Sequence, residues 1–189
     1  MPAHARRSAL RIMAAVALLA LVPLCARADP IPVRSADLRA EEGDVLLSAQ
    51  FDLALTQPLE EALEKGIPLY FTIEFELTRP RRFWVDEKVA QWSITYRVSY
   101  NALTRQYRVA SGPLAGASFD TLDDVQRFLG RVASRPVARV DSLVPGARYE
   151  AMLRMRLDAN QLPKPFQLNA LASREWQLDS EPYRWSFTP

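Results

Sequence analysis

The chain has 189 residues, 49% of them apolar and 24% charged, with 14 prolines against 6 glycines and a formal net charge of +2. That length is about one domain. The mixture excludes a collagen-like or mainly disordered chain.

The N-terminus has a pattern of its own. Arg6, Arg7 and Arg11 make a basic start, Ile12 to Leu24 is an apolar run, and Ala26-Arg27-Ala28 places small residues ahead of Asp29. This order is that of a secretory signal peptide, with cleavage expected between Ala28 and Asp29. The run is shorter than the ~20 residues of a permanent span. The alternative is a leader that stays attached as an inner-membrane anchor. Leu24 stands where lipid modification of Cys25 needs a small residue, and Ala9 weakens the resemblance of Arg6-Arg7 to a twin-arginine signal, so the general secretory route is expected.

Removal of residues 1–28 takes Arg6, Arg7, Arg11 and Arg27 with it. Twenty basic residues then face 22 acids, and the net charge becomes −2. Without a net positive field there is no general case for nucleic acid or an anionic membrane as partner. The single histidine, His4, and the single cysteine, Cys25, both leave with the leader. The expected mature chain therefore has no disulfide, no imidazole base and no thiolate. That excludes Ser-His-Asp and Cys-His chemistry and the usual zinc and haem sites. No metal or cofactor is expected.

Beyond the leader, Val33 to Leu38 reads as a first strand and Glu41-Glu42-Gly43-Asp44 as a turn. Val45, Leu47, Ala49, Phe51, Leu53 and Leu55 alternate with Leu46, Ser48, Gln50, Asp52 and Ala54, the period of a half-buried strand. Thr56-Gln57-Pro58 opens a short helix, with Leu59, Ala62 and Leu63 on one face, and Gly66 closes it. Leu69, Phe71, Ile73, Phe75 and Leu77 give the clearest strand in the chain. Glu74 and Glu76 lie on its other, wet face. Arg79-Pro80-Arg81-Arg82 breaks the pattern. Val89 to Tyr100 resumes it, and Asn101-Ala102-Leu103-Thr104 connects to Arg105–Ala110 as a hairpin.

Residues 112–116 read as a loop. Thr121 is the N-cap of a second helix, with Asp124 three positions on and Val125, Phe128, Leu129 and Val132 on one face, ending before Arg135-Pro136. Val137–Val140 is a short strand and Tyr149 to Leu157 a long one. Leu162 to Phe166 is irregular, with one helical turn at 167–170. A strand at Trp176–Leu178 and a last one through Tyr183, Trp185 and Phe187 follow. About eight strands and two short helices, without regular βαβ alternation, predict a mainly β protein. The expected architecture is an antiparallel two-sheet β-sandwich, immunoglobulin-like in outline but without the Cys–Trp–Cys signature, occupying residues 29–189 as one domain. A barrel is the alternative.

Three stretches resemble a family of exported proteobacterial proteins, domain of unknown function family 4390. They are Phe83-Trp84-Val85-Asp86-Glu87-Lys88, Ser99-Tyr100-Asn101-Ala102-Leu103-Thr104-Arg105-Gln106-Tyr107-Arg108, and Leu162-Pro163-Lys164-Pro165-Phe166 with the later Trp176 and Trp185. The resemblance spans nearly all of the expected mature region and implies no catalytic role. Members of the family tend to be encoded near a membrane sensor kinase, which implies an envelope signalling association.

The candidate binding residues are Arg81, Arg82, Trp84, Trp92, Asn101 and Arg105. Guanidinium forks beside indole rings suit a partner's acidic or aromatic groups, or an anionic or sugar-like ligand. The competing structural reading makes Arg79 to Arg82 a basic rim with Trp84 tucked under a sheet edge. Asn101 to Arg105 is then a turn that sets register. Glu74 and Glu76 also read as a carboxylate pair for glycoside chemistry, or simply as solvated charges. The expected function is a non-enzymatic, exported protein-interaction module of the cell envelope, with a sensor kinase's outer domain as partner. A small-molecule-binding envelope domain is the alternative, and a carboxylate-only hydrolase a third reading.

Overall fold

Five apolar side chains at alternate positions, Leu69, Phe71, Ile73, Phe75 and Leu77, are at most 1% exposed. They belong to a strand with antiparallel neighbours on both sides, and the rest of the fold is arranged about it. The computed structural model describes residues 31–81, 84–112 and 116–189, without the side chains of residues 169 and 171. The leader, its expected cleavage site at Ala28 and Asp29, and Arg82 therefore lie outside the described residues.

The described residues contain nine strands. They are β1 (Val33–Glu41), β2 (Asp44–Phe51), β3 (Leu69–Arg79), β4 (Glu87–Asn101), β5 (Gln106–Ala110), β6 (Ala117–Phe119), β7 (Arg131–Arg139), β8 (Tyr149–Leu157) and β9 (Tyr183–Phe187). Three helices accompany them, α1 (Gln57–Glu64), α2 (Leu122–Leu129) and α3 (Lys164–Ala172). A three-stranded sheet has the order β1-β2-β7 and a six-stranded sheet the order β6-β5-β4-β3-β8-β9, with every strand pair antiparallel. The protein is thus mainly β, with two antiparallel sheets in a sandwich-like arrangement and no barrel closure. One apolar core joins them. It runs from Leu38, Val45, Leu47 and Phe51 of the small sheet to Phe71, Phe75, Leu153 and Met155 of the large one.

Several polar groups inside this core are matched, while the buried Trp185 Nε1 has no hydrogen-bond partner. The Tyr149 hydroxyl, in a side chain only 1% exposed, accepts from the Val144 amide at 2.8 Å. The Ser180 hydroxyl accepts from the Met155 amide at 2.8 Å, while the Ser180 amide returns a bond to the Met155 carbonyl at 2.7 Å. On the opposite face of β3, Thr72 and Thr95 share a hydrogen bond of 3.0 Å between their hydroxyls. Unpaired, such groups would each cost about 1–3 kcal/mol.

Several elements depart from the sequence expectation, each for a tertiary reason. β2 stops at Phe51 rather than continuing to Leu55. The Phe51 and Asp52 amides there donate to the carbonyls of Gly130 (2.7 Å) and Pro32 (2.8 Å), which turns the backbone away. α2 ends at Leu129, capped by Gly130, so Val132 belongs to β7 and not to a helix face. β7 runs through Pro136 because it lies at a sheet edge, where a missing N–H leaves no pairing partner unsatisfied. Ala117–Phe119, left unassigned between the expected loop at 112–116 and the Thr121 cap, forms a short strand on β5. α3 is a third helix in place of a single turn, held where the Gln167 side-chain amide donates to the carbonyls of Asn160 and Leu162 at 2.7 and 2.8 Å. The expected strand at Trp176–Leu178 is instead a 3₁₀ turn, Arg174–Trp176, followed by a single bridge between Asp179 and Arg156.

Two glycines matter. Gly43, with φ 88°, follows Glu42 at φ 51° in the two-residue loop between β1 and β2, and two successive positive φ values are what such a hairpin needs. Gly130 is required by close approach. A Cβ there would lie 2.7 Å from the Phe51 carbonyl oxygen and 3.0 Å from that of Gln126. Gly130→Ala is therefore expected to destabilise the protein by about 1–3 kcal/mol. Denaturant unfolding checks this, and an unchanged midpoint would show that β2 and α2 can separate without loss.

Candidate functional site

The connection from β3 to β4 carries three of the six sequence-predicted binding residues, Arg81, Arg82 and Trp84. Arg79 pairs with Glu87 as its last rung. The Glu87 carboxylate receives two guanidinium groups, Arg79 and, at 2.7 Å, Arg81. These two cations, Arg81 foremost, hold its pKa below the ordinary carboxylate value. The Arg81 amide also donates to the Asp86 carboxylate at 3.2 Å. Lys88 reaches Glu76 at 3.0 Å on the outer face of the sheet. The described cations of this rim are therefore engaged with acids of the same hairpin. Among the described residues of the tip, Trp84 is 81% and Val85 90% exposed, flanked by the exposed Arg81 and Asp86.

Trp92 is not part of that surface. It stands on the inner face of β4 opposite Phe75, half-buried against the core. The Arg135 guanidinium of β7 lies over its ring, 5.4 Å from the centroid. Trp92 thus acts where the two sheets meet, as a cation–π contact. Asn101 and Arg105 are at the other end of β4. That strand runs from 87 to 101, about 45 Å at ~3.3 Å per residue. There the Asn101 side-chain oxygen accepts from the amides of Leu103 (3.0 Å) and Thr104 (3.4 Å), and Arg105 takes φ 54° to close the turn. The predicted set accordingly divides three ways. Arg81 and Trp84 share one tip, Trp92 joins the sheets, and Asn101 with Arg105 shapes the opposite turn. Arg82 lies outside the described residues.

Sequence reasoning passed over several residues. Val85 and Leu103, the latter 97% exposed, are large apolar side chains at the two ends of β4. The available signal was their place in turn segments, off the two-residue period. Glu87 was visible only as part of a motif, because its role as acceptor for two arginines needs the hairpin closed.

Glu74 and Glu76 do face outward, and neither is a free carboxylate. Arg154 donates to Glu74 at 2.6 Å and Arg156 at 3.1–3.2 Å, from the register that sets Glu74 opposite Arg154. Burial raises the Glu74 pKa, the two guanidinium groups lower it by more, and the net position is below the ordinary value of 4.5. Among the described residues no three His, Cys, Asp or Glu side chains converge as metal ligands, and no helix is long and apolar enough to cross a membrane.

A broad cleft of about 1390 Å³ opens between the small sheet, α2 and the β4–β6 side of the large sheet. Tyr96, Phe119 and Phe128 give it an aromatic wall. Phe128 lies 6.1 Å from Tyr96, edge-on, and 5.2 Å from Phe119 between ring centroids. Burial pushes the Tyr96 hydroxyl above its usual pKa. Phe128 remains 43% exposed. At its margin Arg34 pairs with Asp52 and Arg127 with Asp124.

These features define a two-sheet antiparallel β protein whose most exposed aromatic side chain among the described residues, Trp84, stands at a hairpin tip stiffened by ion pairs. The sequence profile described as Domain of unknown function (DUF4390) matches residues 28–186, and the chain belongs to that family. No curated protein and no solved structure matches the chain.

The Glu74 network makes stability depend on pH. Below pH 4.5 the unfolded chain takes up a proton at Glu74 that the folded chain still refuses, so this contribution is present above that pH and is lost as pH falls through the lower folded value. Glu74→Gln is expected to lower stability at neutral pH by about 1 kcal/mol, allowing for solvent screening of the exposed arginine heads. The difference from wild type should vanish in acid. Urea midpoints of both proteins across pH check it, and a gap that persists in acid would assign the effect to packing.

Proposed function

We propose that the protein is an exported, non-enzymatic interaction module of the cell envelope that docks on another envelope protein through the tip of the β3–β4 hairpin. The observation that carries this reading is the pairing of an 81% exposed Trp84 and a 90% exposed Val85 with a base held by ion pairs. Tryptophan and arginine are the residues that dominate protein interfaces, and they do so when a partner's pocket desolvates them. Arg79 and Arg81 share one acceptor, which ties both guanidinium groups to the hairpin beneath the exposed Trp84 and Val85. The two apolar side chains favour an apolar or aromatic pocket as the receiving surface. The basic, apolar and small-residue order of the leader supports export. A membrane sensor kinase's outer domain is the candidate partner that the family resemblance suggests.

Trp84→Ala is expected to weaken binding to such an outer domain by about 30-fold or more, a loss of ~2 kcal/mol. Its melting temperature should stay at the wild-type value, because the ring contributes nothing to the core. Titration calorimetry with the purified partner domain, and capture from envelope extracts with the variant as control, test it. Equal retention by both proteins would remove the tip from the interface.

The aromatic wall of the cleft supports a second reading, a small envelope molecule bound between the sheets. A thermal-shift screen of sugars, lipids and organic anions is then expected to give hits that Phe128→Ala abolishes. No shift with any class would leave the cleft as a seam of the fold.

A further inference from the structure

The two open sheets have four edges, and three of them are blunted. β6 has three residues. β9 has five, bracketed by Pro182 and Pro189. β7 carries Pro136, a left-handed Ser134 at φ 43°, and two register breaks against β2. Proteins use such short strands, prolines and bulges to prevent unwanted strand pairing. β1 has none of them from Ser35 to Glu41. Its register with β2 is unbroken there, it contains no proline, and it has no strand on its other side among the described residues.

The free backbone groups of β1 can be assigned from its turn. In a two-residue hairpin loop the flanking pair, Glu41 and Asp44, exchanges both hydrogen bonds. Alternation then turns Arg39, Asp37 and Ser35 toward β2, and leaves the N–H and C=O groups of Ala40, Leu38 and Ala36 pointing outward. Side chains follow the same period. Leu38 is buried and Ala36 half-buried on the inner face, while Asp37 and Arg39 are exposed on the outer face and bonded to each other at 2.8 Å.

We infer that β1 is a dimerisation edge whose occupant is β1 of a second copy of this chain, antiparallel and centred on Leu38. This register brings the whole stretch from Ser35 to Glu41 into overlap. It sets Leu38 opposite Leu38 of the second copy and Ala36 opposite its Ala40, so each of the three outward-pointing residues both donates and accepts. It also sets Asp37 opposite Arg39 of the second copy, twice by symmetry, at the closely spaced non-hydrogen-bonded positions where cross-strand charge pairs interact best. A slip of one residue would turn inner side chains outward. A slip of two in either direction shortens the overlap and loses the mutual Asp37–Arg39 pairing. Hydrogen-bond phase, facing and charge all select one two-fold arrangement, an isologous interface that joins two three-stranded sheets into one of six.

The experiment is sedimentation velocity on the purified full-length chain, as processed by the cell, over a wide range of concentration. A reversible dimer is expected. Arg39→Asp sets like charges opposite each other and should weaken it by about tenfold or more. The swap Asp37→Arg with Arg39→Asp restores the opposite-charge pairs and should recover the wild-type constant. Ala40→Pro removes one outward N–H without touching the β2 ladder and should also weaken the dimer. Amide exchange at Ala36, Leu38 and Ala40 should slow as concentration rises, while Asp37 and Arg39 stay unchanged. A chain monomeric at every concentration overturns the inference. So does a dimer indifferent to the charge reversal, or one in which those three amides exchange at the monomer's rate.

Discussion

Strand β3 is hydrogen-bonded to β4 on one side and β8 on the other, so neither of its edges meets water. Its inner face is a continuous line of large apolar residues, and burying that line is the constraint the rest of the chain serves. Three strands form the covering sheet. Helix α1 adds Leu59, Ala62 and Leu63 to the same core. A sheet of six strands is wider than a lid of three. Where the lid ends, aromatic side chains stand half-covered, and Trp92 beneath Arg135 and Tyr96 beside Phe128 are the direct result.

The outer face of the large sheet follows a different logic. It is polar, and arginine is its main cation. An arginine fork can serve one carboxylate jointly with another, as Arg154 and Arg156 do at Glu74 and Arg79 and Arg81 do at Glu87. Both acids gain enough from their cations to hold their protons more weakly than a free glutamate. Each cluster ties positions on separate strands, β3 to β8 in one case and the two arms of a hairpin in the other. Charge here stiffens geometry more than it projects a field, and beyond the Arg79–Glu87 rung Trp84 and Val85 stand in solvent.

The edges show how unevenly the fold treats its open backbone. Strand β7 is bent by Ser134 and interrupted by Pro136, while β1 remains regular across the same sheet. The difference lies in side-chain choice at single positions. It cannot be reduced to strand length, since both strands span nine residues.

Much of this was readable from residue order. The two-residue alternation in 69–77 and 149–157, the Thr121 cap and the turn at Glu42-Gly43 are local physics, and each element formed where its local signal stood. Reading failed where the local signal was overruled by a neighbour distant in sequence. Val132 has helical spacing from Val125 and Leu129, yet the open edge of β2 draws it into a strand. Trp176 and Leu178 have strand spacing, yet Trp176 ends a 3₁₀ turn, because Met155 and Leu157 bond instead to Ser180 and Leu178. Exposure was beyond the sequence altogether. Trp84 and Trp92 have the same chemistry, and only the pairing of Arg79 with Glu87 and of Phe75 with Trp92 decides that one ring projects into water while the other is folded under. Sequence by itself determined the class of fold and the chemistry the chain carries, since periodicity and composition act over a few residues. Tertiary structure alone decided which of those groups meet, because register between strands far apart in sequence depends on how the whole core packs.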